Sequence, residues 1–218
     1  MRIHDISQPL GADIAAWPGD RAFELAWTLR RDRGDSVNVA ALMASVHVGT
    51  HADGPLHTGD GPAIGSLALE PFIGAAEVVD ARPFVSGDPP LVAAAVLDGV
   101  DATGSPRVLL RTRDADDPTR FPESFAALSP ALCRRLAAEG FRLVGTDAPS
   151  VDPVDSKTLE AHRVLAEAGI PNLENLALSG VAAGRYTLVA LPLRLVEADS
   201  SPVRAVLLSG QDSAFSGQ

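Results

Sequence analysis

Residues 46–60, Val-His-Val-Gly-Thr-His-Ala-Asp-Gly-Pro-Leu-His-Thr-Gly-Asp, carry three of the five histidines of a 218-residue chain, with Asp53 among them. Neutral imidazole and carboxylate are the usual side-chain ligands of divalent transition metals, so the clustering restricts which backbone can hold it. In an extended chain His47, His51 and Asp53 point to one face, and Val46 and Val48 to the other. A straight strand would keep His47 and His51 about 13 Å apart, too far to share one ion. The chain must therefore bend between them, and Gly49 permits the bend. A helix would also bring residues four apart together, but Gly49, Gly54 and Pro55 disfavour one. A zincin is excluded, because Val48 stands where H-E-x-x-H needs glutamate. Beyond Asp53, Gly54-Pro55 turns the chain and can return His57 toward the same place. The alternative is three surface histidines on a glycine-rich loop.

Composition narrows the partners. A formal net charge of −10 argues against nucleic acid or an anionic membrane surface. The single cysteine, Cys133, cannot form an internal disulfide, which fits a reducing compartment. No amino-terminal apolar run resembles a signal peptide, and no stretch is long and apolar enough to span a bilayer. The expectation is a soluble, cytoplasmic protein with one domain over 1–218.

Strands are expected at 2–6, at Phe23–Arg30 by alternation, and from Val37 to Val48 running straight into the histidine cluster. Further strands are expected at 76–81, 108–110, 141–145, 170–173, 186–193 and 203–208, while 92–97 reads as either strand or short helix. Ser129-Pro130 and Gly140 bracket a helix, with Cys133 on its apolar stripe beside Leu132 and Leu136. A second helix is expected from about Ser156 to Ala168, stopped by Gly169. On it His162 shares a face with Leu159 and Leu165, which taken alone reads as a core histidine. The last eight residues read as a frayed end. The acidic runs Asp114-Ala-Asp116-Asp117 and Glu197-Ala-Asp199 read as solvated loops. Strands outnumber helices, which favours an α+β class on mixed or antiparallel sheets.

Three blocks together resemble the cyclase family of metal-dependent hydrolases, and within it the bacterial kynurenine formamidases. They are Trp17-Pro-Gly-Asp20, the H-x-G-T-H-x-D-x-P-x-H run from His47 to His57, and the stretch from Thr146 through Asp155-Ser-Lys-Thr-Leu to Leu173-Glu-Asn-Leu176. Ala190-Leu-Pro-Leu-Arg194 and Ser201-Pro-Val-Arg204 are also similar to that subgroup. The resemblance implies a swivelling β/β/α fold and homodimers or larger assemblies. It implies that His47, His51, Asp53, His162 and Glu174 are metal ligands, that His57 is the proton donor and acceptor, and that Trp17 faces the substrate. Alone, Glu174 reads as a surface carboxylate and Trp17 as a turn aromatic covering core.

A catalytic zinc usually takes about three protein ligands and keeps a position for water. Five candidate ligands exceed that number. Two ions bridged by Asp53 and Glu174 would use them all, at about 3.5–4 Å separation. Zinc is the first choice, with manganese as the alternative. The implied reaction is hydrolysis of N-formyl-L-kynurenine, a small aromatic formamide, to L-kynurenine and formate. The rivals are a cyclic-amide hydrolase acting on isatin-type rings and a metal-binding relative without turnover.

Overall fold

A computed structural model describes residues 1–210. The expected frayed end at 211–218 lies outside the described residues. The strands are β1 (Arg2–Asp5), β2 (Glu24–Leu29), β3 (Val39–Met43), β4 (His51–Asp53), β5 (Ile73–Asp80), β6 (Val85–Ser86) and β7 (Leu91–Val92). They continue as β8 (Arg107–Arg111), β9 (Ala127–Leu128), β10 (Leu143–Thr146), β11 (Asn172–Glu174), β12 (Gly184–Val189), β13 (Ser200–Pro202) and β14 (Val206–Ser209). The α-helices are α1 (Pro130–Glu139) and α2 (Glu160–Glu167).

Nine strands form one sheet in the order β1-β14-β12-β5-β8-β10-β11-β4-β13. Its centre, β5-β8-β10-β11, is parallel, and both flanks are antiparallel. Parallel neighbours need crossovers, and α1 and α2 supply those from β8 to β10 and from β10 to β11. The class is the α+β architecture on mixed sheets that the strand count favours. β8, β10 and β11 are buried on both faces. Val108, Leu110 and Val144 pack with Leu132, Cys133 and Leu136 of α1 and Leu165 of α2. Leu109 and Leu143 point to the opposite core with Phe72, Leu173 and Leu188. Each such leucine, withdrawn from water, contributes about 1.5–3 kcal/mol. Cys133 is core, its thiol pushed up to about 12 by burial. Ser129 accepts from the Leu132 amide, Pro130 opens α1, and Gly140 closes it at φ 81°.

Four expectations need correction. The run from Val37 to Val48 is not one strand: β3 ends at Met43, and turns intervene before β4. The expected half-buried strand Phe23–Arg30 pairs only with β3 in a separate ribbon, and every residue of both strands is exposed. Alternation there marks a pleated ribbon, not burial against this chain's core. The helix expected from Ser156 begins at Glu160, because Leu159 takes a left-handed conformation at φ 47°. The strand expected at 203–208 begins only at Val206, as β14, while the unexpected β13 just before it joins the opposite end of the sheet. Among the described residues, no helix is long and apolar enough to cross a membrane.

β4 lies between β11 and β13, with His51 opposite Glu174 and Asp53 opposite Asn172. Residues two apart on paired strands face the same way. His51, Asp53, Asn172 and Glu174 thus share one face.

Candidate metal centre

Gly49 makes the bend that the histidine spacing requires. Its φ is +68°, a region open to glycine, and it brings the rings of His47 and His51 to a centroid separation of 5.0 Å. Two buried carboxylates stand at the centre of the cluster, Asp53 at 2 % and Glu174 at 3 % exposure. Asp53 Oδ1 lies 3.2 Å from His47 Nδ1 and 3.5 Å from His51 Nε2. His51 Nε2 is 3.3 Å from Glu174 Oε2. From α2, His162 Nε2 approaches Asp53 Oδ2 at 3.5 Å and Glu174 Oε1 at 3.3 Å. Five side chains spread from position 47 to position 174 thus converge.

The second nitrogen of each imidazole is already committed. His51 Nδ1 donates to the Gly49 carbonyl at 2.8 Å. A carbonyl only accepts, so this nitrogen carries the hydrogen, and in the neutral ring Nε2 presents a lone pair. His162 Nδ1 lies 2.7 Å from Asp152, whose carboxylate also accepts from the Ala161 and His162 amides. His47 Nε2 lies 2.8 Å from Asp199. The atoms left facing inward, His51 Nε2, His162 Nε2 and Asp53 Oδ1, are buried without a hydrogen-bond partner. Buried polar atoms rarely stay unpartnered, and ligating histidines are typically braced through their other nitrogen. The donor set therefore fits a metal ion.

Electrostatics agree. Burial opposes charge on His47, yet Asp53 and Asp199 push its pKa up to about 9. Burial also resists ionisation of Asp53, but His51, His162 and His47 hold its carboxyl well below the usual range. His162 is raised well above its ordinary value by Asp152, Asp53 and Glu174, against the same burial. The carboxylates call for positive charge in the pocket, which protons or metal ions can supply in competition.

His57 ends a short 3-10 turn, Pro55–His57. Its ring lies 4.4 Å from that of His47 and 5.2 Å from that of His162, centroid to centroid. Its Nδ1 lies 3.0 Å from Asp199 Oδ2, the same oxygen that meets His47. One atom from each of Asp53, His57 and His162 lies within 4.8 Å of the others, so the three could also gather around an ion. Asp199 is therefore no solvated loop carboxylate. Nor is the other acidic run simply solvated: Asp114 pairs with Arg82, Asp116 accepts from Ser179, and Asp117 lines the pocket.

The cluster floors a cavity of about 310 Å³. Trp17 stands in its wall, edge-on to Phe121 at 5.1 Å, with Phe125 behind at 6.4 Å. Sequence reasoning missed Asp152, Asn172 and Asp199, which hold the floor, and Phe121 and Arg113, which line the wall. Asn172 donates to both Asp53 and Glu174. Apart from Asn172, none of these shares a local spacing pattern with its partners. For Asn172 alone a signal existed, two residues before Glu174 on one strand face.

A family model described as "Putative cyclase" matches residues 4–153. The kynurenine formamidase of Salinibacter ruber is 43 % identical over 215 residues, 97 % of this chain and all of that one. A solved structure described as a potential metal-dependent hydrolase with cyclase activity superposes with a TM-score of 0.81 at 25 % identity, covering 97 % of this chain and 99 % of the other. Isatin hydrolase A from Labrenzia aggregata shares the fold at a TM-score of 0.77 and 24 % identity, over 96 % of this chain and 94 % of its own. The chain belongs to the cyclase family.

Proposed function

We propose that this protein is a metal-dependent amidohydrolase that cleaves N-formyl-L-kynurenine to L-kynurenine and formate. One observation carries the reading: braced imidazoles and two buried carboxylates leave unpartnered donor atoms aimed at one point on the floor of an aromatic-walled pocket. The similarity to kynurenine formamidases across nearly the whole chain supports the choice of substrate.

In this reading His47, His51, Asp53, His162 and Glu174 are the residues that would hold two divalent ions, zinc first. Bound there, such ions would supply a water acidified toward a pKa of about 7 and polarisation of the formyl oxygen. His57 donates through Nδ1 to Asp199, which leaves Nε2 as the base. It takes the proton of the attacking water and returns it to the aryl nitrogen, a poor leaving group unless protonated. Trp17 and Phe121 flank the aromatic ring and fix its orientation.

The whole chain acts as one domain, in the cytoplasm, as a homodimer or larger assembly. The ribbon β2–β3 supports self-association, since it exposes Leu25, Trp27, Leu42 and Met43 and a lone two-stranded ribbon is marginal in water. Metal analysis with parallel assays on N-formylkynurenine and isatin tests the proposal. Two ions per chain and formate release from N-formylkynurenine are expected. A metal-free active protein, or turnover of isatin with N-formylkynurenine untouched, overturns it.

A further inference from the structure

The pocket wall holds a cation that the hydrolytic chemistry does not use. Arg113 lines the cavity, half-buried, and makes no salt bridge among the described residues. Its Nε is buried without a hydrogen-bond partner. The neighbouring pocket arginine, Arg120, is exposed and already lies 3.6 Å from Glu123. A half-buried guanidinium with no carboxylate in direct contact is costly unless something completes it, and its planar fork matches a carboxylate.

The position of Arg113 is fixed from below. Asp147, fully buried just past β10, accepts from the amides of Thr112 and Arg113 at 3.0 Å and from the Thr112 hydroxyl. With three donors to satisfy, that carboxylate clamps the Arg113 backbone; it attracts the guanidinium through space but makes no direct contact with it. Asp117, four residues on, also lines the cavity. Its Oδ1 accepts from Thr119, and among the described residues no hydrogen bond to Oδ2 is made.

We propose that Arg113 is the specificity-determining residue of this pocket, binding the carboxylate of an α-amino acid group carried by the aryl formamide, with Asp117 facing its ammonium. This rests on the formamidase reading and extends it from the scissile bond to the far end of the substrate. Arg113 supplies a charge-assisted, two-pronged contact in partial shelter from water. Asp117 is exposed, so its ammonium contact is the weaker.

The test compares N-formylkynurenine with 2-formamidoacetophenone, which keeps the aryl ketone and formamide but lacks the amino acid end. On the native enzyme the truncated compound should show a KM about 10- to 100-fold higher, as expected for losing a hydrogen bond to a charged group. Arg113→Met should raise KM for N-formylkynurenine by a similar factor and leave kcat nearly unchanged, with little effect on the truncated substrate. Arg113→Lys should recover part of the loss. Equal KM for the two compounds on native enzyme overturns the inference without any variant. So does a loss in Arg113→Met that is the same for both substrates, or no loss at all. If the native enzyme hydrolyses neither compound, the formamidase reading itself fails.

Discussion

The floor and the wall of the pocket are built differently. The floor is set by strand register and helix docking: β4 and β11 place His51, Asp53 and Glu174, and α2 delivers His162. Its side chains are buried and each is held by a second partner. The wall comes from turns and loops, with Trp17 before the β2–β3 ribbon and Arg113, Asp117 and Phe121 between β8 and β9. Its side chains are half-buried or exposed. A rigid floor suits bond-breaking, which depends on placement to a fraction of an ångström, and a loop-built wall suits recognition of what is attached to that bond.

That contrast predicts different kinetic signatures. Chelation should abolish turnover, and added divalent ion should restore it; activity that survives complete metal loss, checked by elemental analysis, would break the comparison. His57→Ala should lower kcat by about 10²- to 10⁴-fold with metal content unchanged. Asp199→Asn should cost about 10- to 100-fold, the range for removing a carboxylate that braces a histidine proposed to hold metal. That loss should be divided between metal affinity and kcat, because Asp199 touches both His47 and His57. Trp17→Ala should raise KM about 2- to 10-fold, as expected for one aromatic contact worth about 0.5–1.5 kcal/mol, with little change in kcat. A wall variant that lowers kcat as deeply as His57→Ala would erase the distinction.

The floor was also the legible part. Glycine between two histidines four apart already demanded a bend, and Gly49 makes it. His162 and Glu174 gave no such signal: a helix face of Leu159, His162 and Leu165 reads as core, and only comparison with a family pattern pointed elsewhere. Of these three, Leu165 is core, His162 turns to the carboxylates and Leu159 lines the cavity. The bracing set was not legible, because Asp199 meets His57 across 142 positions and His47 across 152. Pairings at such separation leave no periodicity to read. The fold class followed from strand count, and the central strand 107–111 from its apolar run, but the exposed ribbon misled, since alternation says that one face differs from the other and not what covers it.

The pairing of His51 with Glu174 limits how such a gene can vary in length. A single codon gained or lost inside β11 would turn Leu173 toward the histidine cluster and drive Glu174 among Phe72 and Leu188, spoiling catalysis and folding together. The segment carrying Arg113 to Phe121 has no such partner strand, so new substrates can be reached there by insertions that β4 and β11 could never absorb.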